Sequence, residues 1–322
     1  MSNPNLGWGA RRLSRAASGA LVALACLLGS ASARADGALL PTTALPGAAK
    51  AALVADVAQA KQRVPTSFAA VKELRSRLSE LDEGKRGRAA PLTAMLKSLG
   101  PDGLFPMLSE MVLDGAPKGA LADSAWQTWR VSLLEAVGSL RDPRSAPVLA
   151  AVLDSPETDE AIVKAAASAL GKVGTDAAAA KLVAMSKGAG PKQSAVLAGM
   201  GDCRRTVVAA RLAAVIAAKP EAVVARGVLR ALGDVGSAPA WKTPVVAQSG
   251  EEAATRSAAA KALVGAFVAY DGALRKLASD ALMVVDDPST PALVAAAKKA
   301  ASPSVSAALD ELANRFANNP TR

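Results

Sequence analysis

The 322-residue chain contains no histidine, the side chain that most often serves as a general base and most often ligates transition metals. A Ser-His-Asp or Cys-His relay is excluded with it. Two cysteines, Cys26 and Cys203, are too few for a thiolate zinc site. Gly84-Lys85 and Gly171-Lys172 are followed by Arg86 and Val173 rather than the Ser or Thr of a phosphate-binding loop, and the sequence has neither a Ser-x-x-Lys nor a Gly-x-Ser-x-Gly pattern. Three acidic pairs, Asp159-Glu160, Glu251-Glu252 and Asp286-Asp287, have the residue type for acid–base or calcium chemistry. Each is expected at a helix start, where a carboxylate offsets the helix dipole, and none has EF-hand spacing. The expectation is therefore of no catalytic residue, no metal, no cofactor and no enzymatic activity.

What remains is chemistry of recognition. Arg144 and Arg204 each follow a turn aspartate by two residues, which suggests a row of cations, with Arg205, along one edge of a stack of repeats, suited to an acidic partner. Lys85-Arg86-Arg88 and Lys298-Lys299 read as solvated charge. Trp126 and Trp129 share a helical stripe with Leu133, Val137 and Leu140 and are expected in the core. Trp241 lies in an irregular stretch between Pro239 and Pro244, where it either plugs a gap between hairpins or stands exposed as a contact residue.

The elements that must position these residues are helical. Hydrophobic residues make up 51% of the chain but aromatic ones only 3%, which suits helices packed closely through small side chains. Residues 1–35 have the layout of a secretory signal peptide: Arg11-Arg12-Leu13-Ser14-Arg15, an uncharged run from Ala16 to Ala33, then small residues before a cut expected after Ala35. The alternatives are an uncleaved anchor, or lipidation at Cys26, the two routes by which a membrane would enter the picture. The net charge of +10 falls to +6 without the four arginines of that segment. Residues 36–47, with Pro41 and Pro46, read as a tether, and 48–89 as an N-terminal helical pair.

From 90 to 318 one phrase recurs: a helix ending in Leu-Gly or a close variant, a turn with Asp or Pro, then a second apolar helix. It occurs at Leu99-Gly100-Pro101-Asp102, Val137-Gly138, Leu170-Gly171-Lys172-Val173-Gly174, Leu197-Ala198-Gly199-Met200-Gly201-Asp202 and Leu232-Gly233-Asp234-Val235-Gly236. The glycine is expected to end the first helix in the left-handed conformation. Arg256–Leu263 and Arg275–Leu282 both resemble first helices only 19 residues apart, so one must be a second helix; Asp286-Asp287-Pro288 puts the better register at the later one. Pro239 and Pro244 break the second helix expected between 237 and 250, and residues 319–322 form a tail.

These residues, above all Ala169-Leu170-Gly171-Lys172-Val173-Gly174-Thr175-Asp176 and Ala231–Gly236, resemble the HEAT-repeat family, particularly the short bacterial type of the phycobilin lyases. The resemblance implies an all-α solenoid of antiparallel hairpins that binds protein. The leading expectation is a non-catalytic scaffold of the cell envelope or secreted space with an unidentified protein partner. The alternatives are an anionic-polymer or nucleic-acid binder, with nucleic acid disfavoured by export, and an accessory subunit of a modifying enzyme. The processing site is directly checkable: N-terminal sequencing of the exported chain is expected to begin at Asp36, and a chain that retains Arg34 would place the cut elsewhere.

Overall fold

The computed structural model describes residues 37–85 and 91–320, which form a unit of their own. The expected leader, including Cys26 and Ala35, lies outside the described residues, as do Arg86 and Arg88. Among the described residues every regular element is helical. The first group is α1 (Gly47–Arg63), α2 (Pro65–Ser76), α3 (Leu78–Glu83), α4 (Leu92–Lys97) and α5 (Leu104–Val112). Hairpins follow: α6 (Asp123–Leu140) with α7 (Ala146–Asp154), α8 (Glu160–Val173) with α9 (Asp176–Met185), α10 (Pro191–Gly199) with α11 (Thr206–Ala217). The C-terminal part holds α12 (Ala222–Gly236), α13 (Ala238–Trp241), α14 (Pro244–Ala247), α15 (Glu252–Ala269), α16 (Gly272–Val285), α17 (Thr290–Lys298) and α18 (Pro303–Ala317).

The first helices stack in chain order, α4 on α6, α6 on α8, α8 on α10, α10 on α12 and α12 on α16. The second helices form a parallel layer, α9 beside α11, α11 beside α15, α15 beside α17. Thus α15 is the second helix of the hairpin begun by α12, and α16 opens the next one, as the Asp286-Asp287-Pro288 register suggested. The stretch read as a broken second helix is instead an insertion, α13 and α14, between the two helices of one hairpin. Prolines at the start of each short helix satisfy its N-terminus and prevent the two from fusing.

Local capping explains the boundaries. Asp159 accepts the backbone N–H groups of Ala161 and Ile162 at the start of α8, and Thr175 accepts that of Ala178 at the start of α9. The C-termini of α6, α8 and α16 end on left-handed residues, Arg141, Gly174 and Asp286. Asp286 therefore closes a helix, which corrects its expected place at a helix start, while Asp287 accepts the Ser289 N–H in the turn beyond.

The glycines of the recurrent phrase do something different from what their position suggested. Gly100 and Gly174 are left-handed, but Gly138, Gly171, Gly199, Gly201, Gly233 and Gly236 are not. A Cβ at Gly138 would lie 2.6 Å from the Cα of Ala169, one at Gly201 2.5 Å from the carbonyl oxygen of Ala231, and one at Gly171 2.8 Å from the Cys203 nitrogen. Gly227 lies against Ala198, and Gly233 against Ala281. A glycine inside a helix costs roughly 0.8–1 kcal/mol relative to alanine. Here the close approach of the next first helix offsets that cost, because backbones pack where side chains would otherwise hold them apart.

The presumed tether is also part of the body. Ala38, Leu39 and Leu40 are buried, and their N–H groups donate to the carbonyls of Glu110 and Met111 at 2.9–3.1 Å. The last carbonyls of α5 have no partner within the helix, so residues 38–40 cap them. Gly37 and Gly115 make room, since a Cβ at either would fall 2.3 Å from backbone atoms across the junction. Leu45 is buried as well.

A Gly138→Ala exchange sets better helix propensity against overpacking on Ala169. With the clash falling on backbone, overpacking of about 1–3 kcal/mol is expected to win, and urea titration followed by circular dichroism should show a lower midpoint.

Candidate interaction surface

The turn edge was the expected row of cations, and the structure does place the three arginines on inter-helix turns, but it spends them internally. Asp142 accepts the Arg144 N–H at 2.9 Å and its guanidinium Nη2 at 2.6 Å, and that pairing holds the Asp142 carboxyl below its ordinary range. The Arg144 guanidinium also lies 4.8 Å above the Phe105 ring. Arg204 turns back on Asp202, donating to its carbonyl at 3.2 Å with its carboxylate 3.5 Å away. Arg205 bridges successive turns: Nε donates to Glu251 at 2.5 Å, Nη1 to the Gly174 carbonyl at 3.0 Å, and Nη2 to Asp176. Glu251 in turn accepts the Thr206 N–H at 2.6 Å, capping α11 from the insertion rather than starting its own helix with a side-chain bond. Its neighbour Glu252 pairs with Arg256.

Trp241 takes the plug role. Its side chain is 1% exposed and its Nε1 donates to the Val235 carbonyl at 3.0 Å, so it anchors α13 against the end of α12. It offers no face to a partner. Trp129 is fully buried, whereas Trp126 is half-buried with the Arg75 guanidinium 5.1 Å above it.

Cys203 is buried against Gly171, and burial pushes its thiol up to about 12, far from the thiolate needed for reactivity.

A buried charge pair escaped the sequence reading. Glu110 of α5 is 5% exposed; its Oε1 accepts Trp129 Nε1 at 3.2 Å and lies 3.8 Å from Arg75 Nε. Burial lifts its carboxyl to about 7, despite the opposing Trp129 bond and the Arg75 and Lys72 charges, while Asp114 nearby pushes the same way as burial. Arg75 is itself pulled down by burial, and it donates to the Pro117 carbonyl at 2.8 Å, fixing the loop that covers the site. No periodicity marks such a residue, because Glu110 becomes buried only when residues 37–40 and α6 close over α5.

Of the cations on the second-helix layer Lys261 is exposed, whereas Lys181 pairs with Asp154, Arg211 donates to Ser186 and Arg256 pairs with Glu252. Within α9, α11 and α15 the only carboxylates are Asp176 and Glu252, both in first turns and both paired with arginine, whereas Lys181, Arg211, Arg256 and Lys261 are distributed along the helices. Between α11 and α15 runs a groove of about 570 Å³ floored by alanines, with Lys219 and Lys261 beside it and Gly265 in its wall. Sequence reasoning missed these three residues. The available signal was Gly265, a glycine in an alanine-rich helix whose next four residues, Ala266 to Ala269, are apolar and continue the helix.

Among the described residues no cluster of acidic or cysteine side chains could hold a metal ion, and no helix is long and apolar enough to cross a membrane.

Glu110 sets a pH dependence whose sign follows from its raised value. The folded protein binds this proton more tightly than the unfolded chain, whose carboxyl has its ordinary 4.5. The associated stability is full below that value and is lost as pH rises towards 7. Glu110→Gln keeps the acceptor for Trp129 and is expected to flatten this decline, which should amount to on the order of 2 kcal/mol; thermal midpoints of both proteins between pH 4 and 8 would reveal it.

The family model for HEAT repeats matches residues 118–198, spanning α6 to most of α10. No curated protein matches the sequence. Among solved structures, human deoxyhypusine hydroxylase in complex with glycerol is similar at 15% identity and a TM-score of 0.32, covering 79% of this chain and 98% of that one. Neither match is to a phycobilin lyase. The expectation of no enzymatic activity does not stand, because lack of histidine removes particular relays, not catalysis as such. Residues 118–198 thus match HEAT repeats, and the hairpins stacked on either side of them continue one all-α solenoid.

Proposed function

We propose that this chain is exported and acts as a protein-binding scaffold in the cell envelope or secreted space. The observation that carries the reading is the second-helix layer, where α9, α11 and α15 present an alanine-rich surface whose two carboxylates are already paired with arginine while Lys261 stays exposed beside the groove between α11 and α15. A surface of this kind favours an acidic partner through complementary charge, and its small side chains permit close approach. Export is supported by the tripartite arrangement of residues 1–35.

The same cationic excess favours a second reading, an anionic polymer held by charge alone. The two separate by specificity. Residues 36–322, immobilised and challenged with envelope extract followed by chemical crosslinking, are expected to retain a small set of proteins that elute at moderate salt. Uniform retention of heparin and nucleic acid with no crosslinked protein would replace the scaffold with the polymer reading.

A further inference from the structure

Glycines in the helix interiors of this protein follow a rule. Gly138, Gly171, Gly227, Gly233 and Gly236 each face a neighbouring helix or turn that a Cβ would meet within 3.2 Å. Gly265 departs from it. It sits well inside α15 and is exposed, and a Cβ built on it meets nothing within 4 Å. The helix bears the conformational penalty of a glycine with no close approach inside the chain to account for it. Gly265 also lines the groove of about 570 Å³ between α11 and α15, with Ala213, Ile216 and Ala262. A volume of that size is typical of a ligand site.

The groove's charge is one-sided. Lys219 and Lys261 flank it, both are exposed, and among the described residues neither has a carboxylate within salt-bridge distance, whereas Lys181, Lys276 and Lys298 are all paired with aspartates. Lys219 stands in the left-handed region at φ 53°, where glycine would be free of strain. The wall residues Ala258 to Ala269 extend about 16 Å along α15, three turns of a helix. An extended strand would find no unpaired backbone groups to bond on two helix faces, but a helix brings its own hydrogen bonds satisfied.

We propose that this groove seats one amphipathic α-helix of an acidic protein partner, its small-residue stripe against Gly265 and its flanking carboxylates against Lys219 and Lys261. The inference rests on the scaffold reading and gives it a location and a ligand class. The glycine acts there as it does between the first helices, by letting a second backbone come close.

The test uses the whole chain and a stapled helical peptide of about three turns, with an alanine stripe flanked by glutamates, followed by fluorescence anisotropy. Gly265→Leu fills open space and improves helix propensity, so its thermal midpoint should match or exceed that of the parent while peptide affinity falls at least tenfold. Lys219→Glu with Lys261→Glu should cause a similar loss, smaller at high salt. A peptide of the same composition with its stripe scrambled should bind at least tenfold more weakly than the striped one. Equal binding by Gly265→Leu, no binding by the parent, or binding of dodecanoate in place of the peptide would each overturn the proposal. If Gly265→Leu still retains the same proteins from envelope extract, the groove assignment falls while the scaffold reading stands.

Discussion

Backbone-to-backbone contact between successive first helices is the constraint on which the rest of this structure depends. The chain has little aromatic bulk, so it cannot fill wide gaps between helices; instead it removes them. Gly138 against Ala169, Gly201 against Ala231 and Gly233 against Ala281 bring neighbouring repeats close enough for small side chains to exclude water. Each helix gives up some intrinsic propensity at its glycine and regains it through packing across the interface. Stacking is therefore built into the repeat, because a hairpin on its own would expose both the glycine notch and the apolar stripe around it.

Close stacking crowds the ends of helices as well as their flanks. With successive first helices side by side, their C-terminal carbonyls come together at one edge, and cations are drawn there. Arg141 donates to the Lys172 carbonyl, Arg205 to that of Gly174, and Arg256 to those of Val285 and Asp286, each reaching across to a neighbouring hairpin. The Asp176–Arg205–Glu251 bridge extends the same arrangement across three turns. Of the three arginines expected in a row, Arg205 is such an inter-repeat tie, while Arg144 and Arg204 pair with aspartates of their own turns. Lys219 and Lys261, beside the groove between α11 and α15, stay exposed.

The two exceptions to regular stacking have their own physical causes. At the end of α5 the last carbonyls have no partner within the helix, and residues 38–40 supply the missing N–H groups, which also buries Glu110 beneath them. Between α12 and α15 the insertion uses Trp241 to seal the gap it creates, and uses Glu251 to cap α11 from outside its own hairpin. Both are places where one segment completes another far away in sequence.

The sequence by itself determined the helical class, the hairpin repeat, the register of the last first helix and the absence of histidine-based chemistry, because each depends on local composition and on spacing within a single turn or helix. The capping role of Asp159 and the core positions of Trp129, Leu133 and Val137 were legible for the same reason. Only the tertiary structure decided that Gly138, Gly171, Gly199, Gly201, Gly233 and Gly236, unlike Gly174, serve close approach rather than helix ending, that Trp241 is a plug, that Arg144, Arg204 and Arg205 are engaged within the chain, and that residues 38–40 belong to the core. Except for Arg144 and Arg204, which pair within their own turns, the deciding partner lies on another element, and a one-dimensional pattern carries no record of which backbone will stand opposite a missing Cβ.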